Sequence, residues 1–155
     1  MLLYLDLLAV GARKSEVVKV EPYDVFALDG SAGGADLIVK GVKTPAAYRL
    51  VPLDLHPNRG SAERIVAAAL AVEEKKDRLS LLGAVSGHRY YKHSRSSRNW
   101  SPTYYSFSSL EHALKKLGER VGIESLSPHD LRRASITACL LAGVPPELIA
   151  KWHGH

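Results

Sequence analysis

Ser127-Pro128-His129-Asp130-Leu131-Arg132-Arg133-Ala134-Ser135-Ile136-Thr137-Ala138-Cys139-Leu140-Leu141-Ala142-Gly143 carries its own start and stop signals. Serine is a good N-cap, because its side-chain oxygen accepts from an N–H that the first turn leaves unpaired. Proline suits the first helical position, and glycine suits the residue just past the last turn. The spacing predicts a helix over 128–142. Leu131, Ala134, Ala138 and Leu141 recur at helical intervals and form its expected apolar stripe. His129 and Arg132, at i and i+3, then share a different face and can grip one anion between them. A second helix is expected from Pro145 to Trp152, before Trp152-His153-Gly154-His155.

Upstream, the pattern changes from helix to strand and back. An apolar opening, Leu2 to Val10, reads as a buried helix; Gly11 breaks it, and a short helix from about Lys14 to Val20 ends before Pro22. Three strands are expected at Tyr23 to Leu28, Asp36 to Lys40 and Tyr48 to Leu53, separated by the glycine-rich turn at 29–34 and by residues 42–47. Ser61 is read as the cap of an alanine-rich helix reaching about Lys76. A further helix runs from Ser106 or Ser109 to Val121, with Leu110, Leu114, Leu117 and Val121 as its core stripe and Gly122 as its stop. The expected fold is α+β and mainly helical: helices packed with a small three-stranded antiparallel sheet in a single domain over residues 1–155.

Of the 155 residues, 46% are hydrophobic and 24% charged, a composition that supports a packed core and argues against a disordered chain. A formal net charge of +5 points towards a polyanionic partner. The lone cysteine, Cys139, can form neither an internal disulfide nor a cysteine zinc site and reads as a small buried side chain; a cytoplasmic location is expected. No apolar run approaches the length of a membrane span, and no membrane partner is expected. Residues 79–105 are the least regular, with Arg89, Lys92, Arg95 and Arg98 interleaved with Tyr90, Tyr91 and Trp100. Clustered cations of this kind neutralise phosphates, and Arg133 on the 128–142 helix extends the set.

The His129-x-x-Arg132 helix followed by Gly154-His155 resembles the catalytic signature of the tyrosine recombinases, the phage-integrase family. Two upstream stretches fall in the same order. Gly11-Ala12-Arg13-Lys14-Ser15-Glu16 resembles the turn that carries the family's first arginine. Lys43-Thr44, followed by Tyr48-Arg49-Leu50-Val51-Pro52-Leu53, resembles the hairpin that carries its lysine, with Lys40 as the rival lysine. The resemblance implies a catalytic set of Arg13, Lys43, His129, Arg132 and His155, supported by Glu16. It implies the tyrosine-recombinase catalytic fold, cleavage and rejoining of double-stranded DNA through a 3′-phosphotyrosyl intermediate, no metal or other cofactor, and self-association on DNA as a dimer or tetramer. His153 has no counterpart in the motif and is read as a surface or hinge residue.

Such a reaction places extra negative charge on phosphate oxygens, which Arg13 and Arg132 suit as permanently charged, bidentate donors. The resemblance gives His129 the nucleophile's proton, Lys43 the departing 5′ oxygen and His155 a hydrogen bond to the phosphate. The resemblance puts the nucleophile, a tyrosine, beyond His155; Tyr90, Tyr91, Tyr104 and Tyr105 all precede the His-x-x-Arg helix, on the wrong side of the family's motif order. The chain accordingly reads as incomplete at both ends and inactive by itself. Three other readings stand beside this one: a helix-turn-helix transcriptional regulator built on residues 134–155, a decayed integrase fragment that only binds DNA, and a metal site using His129, His153 and His155.

Overall fold

A computed structural model of the chain describes residues 2–27, 34–41, 48–72, 80–82 and 107–155. Helix α1 (Leu2–Ala9) buries Leu3, Tyr4, Leu7 and Leu8 and packs against two later helices. Its one buried charge, Asp6, accepts two hydrogen bonds from Arg64, at 2.9 and 2.6 Å. Gly11 then turns the chain with a φ of +93°, open to glycine and costly for other residues. The single turn α2 (Lys14–Val17) is closed by Glu16, whose carboxylate accepts the Arg13 backbone N–H at 2.7 Å.

A 3-10 turn (Pro22–Asp24) leads into strands β1 (Val25–Ala27), β2 (Ala35–Lys40) and β3 (Tyr48–Pro52). They form the expected antiparallel sheet, in order β1-β2-β3, with Leu37 opposite both Val25 and Val51. Side chains alternate across it, so Ala35, Leu37 and Val39 of β2 and Val51 of β3 face the core. Arg49, also on the inner face of β3, is buried among them.

Helix α3 (Arg59–Leu70) begins two residues before the expected cap and ends before Lys76. Asn58 fixes its start. The Asn58 carbonyl accepts the Ser61 and Ala62 N–H groups, and its side-chain amide donates to the Ala9 carbonyl at 2.6 Å. Ser61 is instead buried within the first turn. Helix α4 (Phe107–Arg120) buries Leu110 and Leu114, while Val121 lies past its end and is 58% exposed, so the expected stripe covers only the first turns.

Helix α5 (Pro128–Leu141) has the expected Ser127 cap, with the Ser127 hydroxyl accepting the Asp130 N–H and Asp130 accepting the Ser127 N–H. Its buried face overlaps the expected one only in part: Leu131 packs partly buried against the core and Ala138 is half-buried. Arg132, Ser135 and Cys139 point inward, whereas Ala134 is exposed and Leu141 is 85% exposed. The neighbours of α5 supply carbonyls and imidazoles as well as apolar atoms, so polar side chains gain more there than methyl groups. Helix α6 (Pro146–His153) packs on α5 and β3, burying Ile149 and Trp152 against Cys139. Among the described residues no helix is long and apolar enough to cross a membrane.

Candidate functional site

Gly154 takes a left-handed conformation, φ 67° and ψ 50°, and stops α6. Its N–H donates to the Lys151 carbonyl at 3.3 Å and the His155 N–H donates to the Ala150 carbonyl at 3.0 Å. This double closure is the one a left-handed glycine permits. The Trp152, His153 and Gly154 carbonyls then stand at the helix end, where the aligned peptide dipoles concentrate negative charge. An arginine meets each one. Arg49 Nε donates to the Trp152 carbonyl at 2.6 Å, Arg132 Nη2 to the His153 carbonyl, and Arg13 Nη2 to the Gly154 carbonyl at 2.6 Å.

The same guanidinium groups reach the turn after α1. Arg132 Nη1 and Arg49 Nη2 both donate to the Gly11 carbonyl, the latter at 3.3 Å. Glu16 supplies the counter-charge. Its carboxylate accepts from Arg13 Nη1 at 3.0 Å and from Arg49 Nη1 and Nη2 at 3.0 and 2.8 Å. Burial alone would raise the Glu16 carboxyl, but the hydrogen bonds and charges of Arg49 and Arg13 outweigh it and hold the group below the usual carboxylate range. Burial, followed by the charges of Arg13 and Arg49, brings Arg132 down to about 10, still cationic at neutral pH. His155 is exposed and is lowered by partial desolvation and then by the charges of Arg132, Arg13 and Arg49.

A neutral layer lies beneath the arginines. The fully buried His153 ring has its Nδ1 2.9 Å from the Ile149 carbonyl and its Nε2 3.0 Å from the Ser135 hydroxyl. That hydroxyl is 3.3 Å from Nε2 of His56, and the Cys139 sulfur is 3.7 Å from the same nitrogen. His56 Nδ1 accepts the Asn58 N–H at 3.2 Å. Desolvation is the main cause that lowers both histidines to about 4, helped in His56 by the charge of His153 and in His153 by Arg132, Arg49 and His155. His153 is therefore a core residue, in place of the surface or hinge residue expected. Gly11 seats it: a methyl group at Gly11 would sit 2.6 Å from Cδ2 and Nε2 of the His153 ring.

Of the residues selected by motif, Arg13, Glu16, Arg132 and His155 come together. His129 does not share a free face with Arg132, because Arg132 turns inward to the two carbonyls while His129 stays exposed in the first turn of α5. Lys43, Arg89, Lys92, Arg95 and Arg98 lie outside the described residues. Arg133 is exposed on α5. Lys40 is engaged by Asp24 at 2.6 Å and Glu21 at 3.1 Å; desolvation would lower its ammonium, yet these carboxylates raise it. Among the described residues no three histidine, cysteine, aspartate or glutamate side chains are grouped to hold a metal ion. His153 points inward to Ser135, away from the grouping with the exposed His129 and His155 that a metal site would need.

Arg49, His56 and Ser135 are the participants that motif reading missed. Arg49 had a signal: with Val51 and Leu53 inward, strict alternation puts residue 49 on the same face. A buried arginine there demands an acid, and Glu16 is that acid. Comparison with protein-family models, curated proteins and solved structures returns no match to this chain.

Proposed function

We propose that the chain is the catalytic domain of a DNA strand-breaking and rejoining enzyme of the tyrosine-recombinase type. The observation that carries this reading is the convergence on one helix end of Arg13, Arg132 and His155, motif members from opposite ends of the sequence. Among the described residues, their cluster sets three guanidinium groups against one carboxylate, that of Glu16. An excess of fixed positive charge suits a phosphodiester passing through a state with added charge on its non-bridging oxygens.

Arg13 is the outermost of the three arginines. Its side chain is 35% exposed, and its hydrogen bonds to Glu16 and to the Gly154 carbonyl leave further N–H groups for phosphate oxygens. Arg132, held at both ends by carbonyls, contributes chiefly as a fixed charge. His155, exposed beside them and lowered in pKa by partial desolvation and then by their charges, can donate a hydrogen bond as a neutral imidazole. Lys40 is committed to two carboxylates, which favours Lys43 as the acid for the leaving oxygen. Three tyrosines lie among the described residues: Tyr4 is buried, with burial and then the Glu111 charge pushing its hydroxyl up to about 12, Tyr23 is exposed on the 3-10 turn, and Tyr48 projects from the outer face of β3. None of the three has a hydrogen bond to this cluster, and the resemblance to the recombinase motif puts the nucleophile on a tyrosine that follows the Gly154-His155 step.

The test has two arms. The folded chain should bind duplex DNA at low salt with little sequence preference, and affinity should fall steeply as salt rises. Extended by a helix bearing a tyrosine, it should leave a covalent protein–DNA band on a denaturing gel after incubation with a nicked duplex, with or without EDTA. Arg13→Ala or Arg132→Ala should reduce the band by about 10²–10³-fold in rate. A folded chain that ignores duplex DNA at low salt sinks the proposal.

A further inference from the structure

We infer that His56, Ser135 and His153 form a one-way hydrogen-bond relay that positions the arginine cluster. The direction is set by its two ends. At one end the Asn58 backbone N–H can only donate, so His56 Nδ1 is an acceptor and the His56 proton resides on Nε2. At the other end the Ile149 carbonyl can only accept, so the His153 proton resides on Nδ1 and its Nε2 is a bare acceptor. Ser135 lies between the two Nε2 atoms at 3.3 and 3.0 Å. One arrangement satisfies every atom: His56 Nε2–H donates to the Ser135 oxygen, and the Ser135 hydroxyl donates to His153 Nε2. Cys139, 3.7 Å from the same His56 proton donor, adds a weak second acceptor.

The relay joins four segments: the loop after β3 through His56, the start of α3 through Asn58, and helices α5 and α6. Its far end is continuous with the cluster. The residue whose ring ends the relay is also the residue whose carbonyl Arg132 holds, and that ring lies against Gly11, whose carbonyl Arg132 and Arg49 share. The His153 ring thus packs against the backbone of Gly11 and belongs to His153, the two residues whose carbonyls hold Arg132. All three relay side chains are buried, so they act through the arginines and not on a ligand. They are positioning residues, and this role rests on the cluster being the anion site proposed above.

Two measurements test it. Long-range ¹H–¹⁵N spectra of the intact chain near neutral pH should show both rings neutral, with His56 protonated at Nε2 and His153 at Nδ1. Any other pair of tautomers overturns the relay whatever the protein binds. In the second measurement, the affinity for a fluorescein-labelled DNA duplex at low salt is compared among wild type, Ser135→Ala and Ser135→Thr, each first shown to be folded. Ser135→Ala should weaken binding by about five-fold, the equivalent of one lost buried hydrogen bond, and Ser135→Thr, which keeps the hydroxyl, should recover most of it. Equal affinities for wild type and Ser135→Ala overturn the positioning role while leaving the recombinase reading intact. Absence of binding by wild type overturns both, with the tautomer spectra still deciding whether the relay exists.

Discussion

Gly11 shows how much one absent side chain can control. Its φ of +93° disfavours any L residue, and the space where a β-carbon would lie is filled by the His153 ring. Strain and overlap act together in Gly11→Ala, which should destabilise the fold by about 2–4 kcal/mol in urea titration. The variant should also move the His153 ring resonances, because the imidazole must leave either Gly11 or Ser135. Unchanged stability would mean that the turn relaxes freely and does not seat the ring. The sequence already marked this glycine as a break between helices and as the first position of a Gly-x-Arg-x-Ser-Glu turn. Its role as a socket was illegible, since the ring that fills it comes from the other end of the chain. Glu16 was easier to find, because an acid three residues after Arg13 is both a helix-closing group and an ion-pair partner.

At the scale of elements, α5 and α6 divide the work between caps and faces. The caps of α5 were readable: Ser127, Pro128 and Gly143 do locally what their chemistry dictates, while Gly154, legible only as part of a Gly-His motif, proves to be the left-handed stop of α6. The buried face of α5 was readable only in part, because a hydrophobic stripe is a guide to burial only where the surroundings are apolar. Here the surroundings are two imidazoles and two carbonyls, so Arg132 and Ser135 turn in and Leu141 turns out. The sheet was legible to within two residues, the first strand starting at Val25 because Pro22–Asp24 forms a 3-10 turn, yet the inward burial of Arg49 on β3 was not drawn from the alternation. The buried imidazoles make the α5–α6 layer sensitive to acid. Both have folded pKa values near 4, depressed from 6.5, so the unfolded chain binds more protons than the folded one between those limits. Their contribution is complete above pH 6.5 and is lost as pH falls towards 4, at up to about 1.4 kcal/mol per pH unit for each histidine. Glu16, depressed below the carboxylate range, adds its own loss at lower pH. Urea titrations between pH 7 and pH 4.5 should show this decline, and His56→Gln should make it shallower. A flat profile would mean that the rings are protonated or solvated in the folded chain.

Over the whole molecule, the cluster fastens one end of the described chain to the other. Arg13 meets a carbonyl 141 residues away and Arg132 meets one 121 residues away. Removing Gly154 and His155 should therefore cost more than two terminal residues usually do. It deletes the left-handed stop of α6 and the carbonyl held by Arg13, and the expected loss is about 1–3 kcal/mol, read as a lower thermal midpoint. The truncated chain should also bind a low-salt duplex more weakly, since His155 goes with it. A midpoint equal to wild type would show that Arg13 finds another partner at no cost. The arginine-capped helix end also has a consequence for synthesis. A nascent chain exposes Arg13 early but cannot aim it until residues 152–154 leave the ribosomal tunnel, because Trp152, His153 and Gly154 each supply a carbonyl to one of the three arginines. Assembly of the three-arginine cluster is thereby deferred until Gly154 has emerged, and a growing polypeptide carries the three guanidinium groups apart until then.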